Sequence, residues 1–434
     1  MTPPSPSFTA KRGQILLMVM GLCLLAHFNR ISMSVAGTER IMPEYGIGPT
    51  RMGWVYSALL IVYALSMTPG GLVLDRIGPR RALMVVGFSS AGFAALTGVA
   101  GWLSPDGNSL WLSLLFVRGS MGMLTAPLHP SSARMVGNWF PRAQQTLANG
   151  LVTGAAIIGV AVTYRGFGVL IERAGWKAAF VISAAVTAGC TLVWARAASD
   201  HPSLGPAGST LEAEGPGPAR APAGLWKRLL MNRSLLLLTL SYAAVGYFQF
   251  MFMYWMQYYF NSELHLSGST SRTYASIPQL AMALTMPLGG WLADVLARKT
   301  TVRRGRSITA AAGMILSAGL LELGTLAQDP IWIVAWFTLA LGALGAAEGS
   351  FWATATDIGG RAGGTAAAIC NTGGNVGGLL APVVTPWVSL HWGWAWGLSL
   401  SGLFGLLGGL CWWGIDPRSA DGDSPAPAGK HEPP

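Results

Sequence analysis

Long apolar runs alternate along the chain with short segments that carry the charges, prolines and glycines. A bilayer core of about 30 Å needs roughly 20 apolar residues per helix, and twelve runs meet that need: 14–36, 52–74, 82–101, 110–135, 146–170, 177–197, 234–260, 272–296, 308–327, 331–355, 365–388 and 394–415. The stretch 362–415 holds no Asp, Glu, Lys or Arg, and the Trp-rich turn at His391–Trp394 divides it into the last two spans. Between the sixth and seventh spans lies DHPSLGPAGSTLEAEGPGPARAPAG, rich in Pro, Gly and Ala, which reads as a flexible linker. The pattern predicts an all-α membrane protein of twelve transmembrane helices in two pseudo-symmetric six-helix bundles. Its expected parts are an N-terminal tail over 1–13, one bundle over 14–197, a linker over 198–233, a second bundle over 234–415 and a C-terminal tail over 416–434.

Composition supports a bilayer rather than water as the solvent. Of 434 residues 52% are hydrophobic and 11% are charged, against about a quarter charged in ordinary soluble domains. The net charge of +10 suits a nucleic acid, an anionic lipid surface or an anionic substrate, and the placement of the basic residues decides among them. With both termini cytoplasmic, 20 Lys and Arg fall in inside segments and five, Arg40, Arg51, Arg173, Lys177 and Arg272, in outside ones. That asymmetry follows the positive-inside rule, so most of the excess is topology and no nucleic-acid partner is expected. The apolar run after Arg12 is too long for a signal peptide and has no small-residue cleavage pattern. The expected setting is therefore the plasma (inner) membrane, with the chain spanning it as a multi-pass monomer. Cys23, Cys190, Cys370 and Cys411 sit in apolar stretches without metal-ligand spacing, and no metal or cofactor is expected.

The two halves repeat. GGLVLDRIGPR at 70–80 recurs as GGWLADVLARK at 289–299, and RAQQTLA at 142–148 recurs as RAGGTAA at 361–367, both at an offset of 219 residues. Parallel repeats of this kind pack about an axis normal to the membrane and hold a substrate near the midplane between them. In the loop between the second and third spans, Gly71 and Gly78 permit close approach and a tight turn. Asp75 with Arg76, Arg80 and Arg81 is expected to form a gating charge lock against the neighbouring half, with Asp294 in the second copy.

Three arginines, Arg30, Arg118 and Arg165, lie inside spans. Arg30 and Arg118 fall near mid-membrane depth, where an unpaired guanidinium costs several kcal/mol, and the first six spans hold no Asp or Glu at interior depth to pair with them. Cations in a water-filled cavity are expected to bind an anion, and the planar fork of arginine suits a carboxylate. Snorkelling or a backbone-carbonyl partner is the alternative for each. Arg165, nearer the outer end, is as well explained by snorkelling.

HFNRISMSVA in the first span, VRGSMGMLTAPLHPSSARMVGNWFPRAQQTLANG through the fourth into the fifth, and GTAAAICNTGGNVGGLLAPVV in the eleventh resemble the anion:cation symporter family of the major facilitator superfamily. The Gly71–Arg81 loop and its second copy resemble the superfamily's signature. The resemblance covers essentially all twelve spans and implies carriers of sugar acids, sialic acid and related organic anions. It implies substrate contacts for Arg30 and Arg118, with Tyr63, Asn371 and the aromatic Trp352 beside them. Many members carry an acid just before the first arginine and another seven residues after the second; this chain has Asn29 and Thr125 there. Proton coupling then needs other groups.

Glu348 is the one acidic residue placed well inside a span, and intramembrane acids are functional candidates by default. His129 lies one turn beyond Thr125 and His27 one turn before Arg30, and histidine titrates near neutrality; either is also a plain packing residue. The seventh span reads YFQFMFMYWMQYYF, and the repeat offset makes Gln249 the counterpart of Arg30. Tyr247 and Gln249 are expected to line the cavity, and Asn29 with them. Together these features predict a secondary transporter of small organic anions, monocarboxylates or sugar acids, running as a proton symporter, or else as an uncoupled facilitator or exchanger. A proton-driven drug exporter requires an acidic cavity and a motif that the fifth span lacks. A membrane enzyme requires a Ser/His/Asp set, a metal cluster or a phosphate loop, and none is present.

Overall fold

A computed structural model describes residues 6–201, 225–360 and 363–416. They form α1 (Pro6–Ala36), α2 (Pro49–Ile77), α3 (Pro79–Leu103), α4 (Gly107–Thr125), α5 (Leu128–Trp139) and α6 (Arg142–Ala197) in the first half. The second half has α7 (Arg233–Tyr258), α8 (Gly268–Lys299), α9 (Val302–Leu326), α10 (Pro330–Gly359), α11 (Gly363–Trp392) and α12 (Trp394–Cys411). Among the described residues ten stretches are long and apolar enough to cross a membrane. One of them, Leu147–Ala197, runs for 51 residues and crosses twice, and α2, with 29 residues, is a further crossing, which gives the twelve expected spans.

The double crossing in α6 follows from one residue. A straight helix of 56 residues would be about 80 Å long at 1.5 Å per residue, far beyond a bilayer. Gly175 breaks it with φ 77° and ψ 158°, a conformation open essentially to glycine alone. Gly159 before the break meets Leu24 and Thr187 after it meets Asn29, so both arms pack along α1. The fourth span is broken at Pro127, which lacks the N–H and crowds the preceding turn; α4 ends at Thr125 and α5 starts at Leu128. Asp106 caps α4, its carboxylate accepting from the backbone N–H groups of Ser109 at 2.9 Å and Asn108 at 2.7 Å. These hydrogen bonds hold that carboxyl below the usual range.

Packing repeats between the halves. In the first, α1 packs on α6, α2 on α4 and α3 on α6; in the second, α7 packs on α11, α8 on α10 and α9 on α12. Across the divide, α2 meets α11 and α8 meets α6, a pair of contacts that the same two-fold relation exchanges. Among the described residues, hydrogen bonds between the halves gather at the end away from the chain termini. There Ser34 Oγ donates to Tyr254 O at 3.0 Å, Ser57 Oγ to Leu379 O at 2.7 Å and the Tyr164 hydroxyl to Met253 O at 2.7 Å. Tyr56 stacks on Tyr254 with ring centres 4.7 Å apart. Nearer the middle the contact is weaker, Asn375 Nδ2 standing 3.6 Å from Met67 Sδ.

Some boundaries differ from the expected ones. The first helix already begins at Pro6, inside the stretch expected as a tail. The interdomain segment contains a short helix, Leu225–Leu230, while residues 202–224 and the C-terminal 417–434 lie outside the described residues.

Gly175→Ala is expected to lower stability by about 1–3 kcal/mol, because alanine must adopt that backbone conformation. Gly189→Ala, in the same helix with open space around the added carbon, is expected to change it by no more than about 1 kcal/mol, in the stabilising direction. Thermal melts of the two purified variants check the contrast.

Candidate functional site

Beside the proline break of the fourth span lies a small cleft of about 20 Å³ against the first and second spans. His27, Arg30, Tyr63, Thr125 and His129 supply its polar wall, with Ala26, Leu59, Met121 and Leu128 between them. Arg30 is half-buried. Its Cζ lies 5.3 Å from the centre of the Tyr63 ring and 5.4 Å from that of Phe250 on α7, in the other half. Such contacts contribute about 0.5–2 kcal/mol each but take up none of the N–H groups. Nε and Nη2 of Arg30 are buried and have no hydrogen-bond partner. A buried donor left unmade costs about 1–3 kcal/mol, and a carboxylate lying edge-on to the guanidinium would satisfy both with a charge-assisted, bidentate bond.

Arg118 is different, and the expectation that it clamps cargo is corrected. Its side chain is 1% exposed, with Nη1 donating to Asn29 O at 3.1 Å and Nη2 to Arg30 O at 2.5 Å. The backbone-carbonyl alternative is what the structure shows, leaving only Nε of this guanidinium without a partner. Asn29 is corrected too. Successive helix residues point about 100° apart, so Asn29 turns from the cleft into its own bundle, where Nδ2 donates to Thr187 Oγ1 at 2.8 Å and to Ser90 Oγ at 3.3 Å. Thr125 lines the cleft, its hydroxyl donating to Met121 O at 2.7 Å.

His27 and His129 meet edge to face with ring centres 5.4 Å apart, and His27 Nδ1 is 2.9 Å from Cys23 O. In the second half Glu348 is buried; Oε1 accepts from the Tyr242 hydroxyl at 2.5 Å and from Trp352 Nε1 at 3.0 Å, while Oε2 has no partner. Glu348 follows His129 by the same 219 positions that separate the repeats, so the two titratable groups occupy matching places in the halves. Trp352 is 41% exposed and serves here as a donor to that acid.

Tyr247, expected in the cavity, is 2% exposed and faces α11 and α12, with its hydroxyl 3.0 Å from Thr385 Oγ1 and its ring against Phe404. Gln249 is half-buried and makes no hydrogen bond among the described residues; its neighbour Phe250 is the one that reaches Arg30. Asn371 is half-buried, and its carbonyl accepts from Asn375 Nδ2 at 3.1 Å. Phe250 and Asn375 are the residues that the sequence reading missed. The aromatic density of the seventh span and the second asparagine of the eleventh were the available signals.

In the loop after the second span, Arg80 does not reach the neighbouring half. Its backbone N–H donates to Asp200 Oδ1 at 2.7 Å, and its guanidinium donates to Ala195 O, so it ties α3 to the end of α6. The expected lock between halves is corrected for this residue: among the described residues the hydrogen bonds between the halves lie near the middle or at the opposite end. Gly78 caps α3 with φ 80°; Arg76, Arg81 and Asp294 are exposed. Gly71 and Asp75 lie outside the described side chains, as do Arg142 and Arg361. No group of three or more His, Cys, Asp or Glu suited to a metal ion occurs among the described residues.

A family model described as Major Facilitator Superfamily matches residues 19–367 and 263–433. A D-galactonate transporter of Escherichia coli is 26% identical over 418 residues, covering 92% of this chain and 94% of that one. A probable sulfoacetate transporter of Cupriavidus necator is 27% identical over 379 residues, covering 85% and 86%. Among solved structures, a bacterial homologue of the human lysosomal transporter Spinster, in an inward-facing and unoccupied conformation, superposes with a TM-score of 0.73 at 15% identity, covering 95% of this chain and 97% of that one. At that identity the likeness concerns the fold.

Arg118→Gln is expected to lower the stability of the ligand-free protein by about 2 kcal/mol or more, since charged donors to two carbonyls are lost. Arg30→Gln is expected to leave ligand-free stability within about 1 kcal/mol, since no hydrogen bond is broken and the loss of two ring contacts is offset by removing two buried, unpartnered donors. Thermal melts without added anions distinguish them.

Proposed function

The chain belongs to the Major Facilitator Superfamily and is a multi-pass membrane transporter, and from that premise we propose that it carries small organic anions, monocarboxylates or sugar acids, by alternating access. The observation that carries this reading is Arg30, a half-buried guanidinium in a cleft with two unpartnered N–H-bearing atoms. Tyr63 and Phe250 flank it from opposite halves, so a carboxylate on its edge would place the rest of the cargo between the two bundles. His27, His129 and Thr125 offer polar partners for hydroxyls within the same cleft. Gln249 and Asn371 stand on the facing helices as amide donors. The names of the similar carriers, for D-galactonate and sulfoacetate, belong to the same chemical class.

In this reading residues 14–197 and 234–415 rock as two bodies about the cargo, joined by the segment 198–233, in a monomer of the inner membrane with both termini cytoplasmic. With that orientation the end at which the halves touch, opposite the linker, is the outer one, and the arrangement described above is inward-facing. Glu348, buried with one free carboxylate oxygen, is the group we assign to proton coupling, with His129 and His27 as the alternatives in the first half. A specific observation favours a second reading, uncoupled facilitation or exchange. The two positions at which related carriers hold acids carry Asn29 and Thr125 here, and both side chains are bonded within their own bundle.

Uptake of labelled organic acids into proteoliposomes, with and without a pH gradient, tests both. Transport of at least one monoanionic sugar acid, reduced at least tenfold in Arg30→Ala, is the expected result. An inward proton gradient that accelerates uptake in the wild type and not in Glu348→Gln supports coupling. Uptake indifferent to the gradient selects the facilitator or exchanger.

A further inference from the structure

Arg272 was counted above as an outside loop charge, and the structure gives it another setting. It lies in the first turns of α8, in the second half, yet its side chain is 4% exposed. Nη1 donates to both carboxylate oxygens of Glu39, at 3.2 and 3.1 Å, and Nη2 bonds Glu172. Both acids belong to the first half: Glu39 sits on the single π-helical turn Gly37–Ile41 that follows α1, and Glu172 near the break in α6. Gln257, close to the end of α7, donates Nε2 to Glu39 Oε1 at 2.7 Å. Among the ion pairs of the described residues, the two that join the halves both use Arg272. The pairs Lys177–Glu44, Arg303–Asp416 and Arg306–Asp357 each stay within one half.

The surroundings are shaped to admit this arginine. A β-carbon at Gly168, one turn before Glu172, would collide with Cδ, Nε and Nη1 of Arg272, so the missing side chain of α6 is what lets the guanidinium cross to its acids. The other contacts at this end, from Ser34, Ser57 and Tyr164, are neutral hydroxyls on opposing carbonyls. Each of these is worth about 1 kcal/mol net. Arg272 adds the charge-assisted ties, with Nη1 shared between both oxygens of the largely buried Glu39 and Nη2 on Glu172, which is 55% exposed.

We infer that Arg272, with Glu39 and Glu172, is the outer latch of the transporter, the contact that must break for the cavity to open to the side away from the termini. The latch rests on the alternating-access reading but not on the identity of the cargo. Its logic is that of a two-state equilibrium: an interaction made in one state only shifts the population by its full free energy. Losing the latch therefore favours the outward-facing state. Glu39 and Gln257 close the network from the ends of the first and seventh spans, two helices related by the internal repeat.

The test is a distance measurement on the full chain in lipid nanodiscs, without substrate. Leu103→Cys and Gln328→Cys place spin labels at outer helix ends of the two halves, in a background with the four native cysteines replaced. Pulsed electron paramagnetic resonance then reads the separation. The wild-type background is expected to show mainly the short distance. Arg272→Gln is expected to raise the ratio of long to short populations by about tenfold or more, the scale set by breaking a buried pair. Gly168→Leu, which evicts the arginine while leaving every charge in place, is expected to shift the ratio in the same direction. Glu39→Gln, which leaves Arg272 paired with Glu172, gives a smaller shift and stands in should Arg272→Gln fail to fold. Wild-type distance distributions in folded Arg272→Gln and Glu39→Gln would overturn the latch. Failure of organic-anion transport would leave this measurement unaffected, so the two proposals fail separately.

Discussion

Everything at the cleft depends on one buried guanidinium holding the backbone of the helix beside it. Arg118 reaches from the fourth span to the carbonyl oxygens of Asn29 and Arg30, and two charge-assisted bonds replace the water that it gives up. This fixes the rotation of α1 at the depth where it carries its own arginine. Asn29 is then turned to Ser90 and Thr187 inside the bundle, and Arg30 is turned to the cleft. Of two arginines at similar depth, one is structural because the other's carbonyl is its partner. The second is left against the rings of Tyr63 and Phe250, with Nε and Nη2 buried and without a hydrogen-bond partner.

That division of labour suits alternating access. A site that binds an anion near the middle must be reachable from one side at a time, which requires the ends of the bundles to meet and part in turn. Among the described residues the halves meet at the end opposite the chain termini, through hydroxyls on carbonyls, a tyrosine stack and the Arg272 pairs. Phe250 extends the contact inward to Arg30 itself. Cargo on the guanidinium would therefore change a contact that already spans the two halves, and binding energy at the site is connected to the geometry of the closed end.

The spans, their number and the doubling of the bundle were legible because the requirement for about 20 apolar residues per crossing is strict and a repeat at constant offset is hard to hide. The site was legible in residue type and less so in direction. Asn29 and Arg30 are adjacent in sequence, and hydropathy cannot say which one a helix turns toward the cavity when both are polar. The offset that pairs Gln249 with Arg30 missed Phe250 by a single position, which on a helix is a different face. Tyr247 was indistinguishable by type from a cavity aromatic, though it packs under Thr385 and Phe404. The pairing of Arg272 was missed for a more general reason. The positive-inside rule counts charges by loop and side, and an arginine at a helix start looks the same whether it faces water or two acids more than 90 residues away in sequence. Long-range pairing of that kind leaves no local trace in one sequence.

The central claim is that Arg30 alone supplies the cation for the cargo while Arg118 supplies structure. Thermal unfolding of purified protein with increasing D-galactonate or sulfoacetate tests it most directly, because a ligand that binds only the folded state stabilises it by about 2.7 kcal/mol at a concentration 100 times its dissociation constant. The account predicts that a stabilising anion raises the melting temperature of the wild type and leaves folded Arg30→Ala unchanged. Equal stabilisation of the wild type and Arg30→Ala would contradict it.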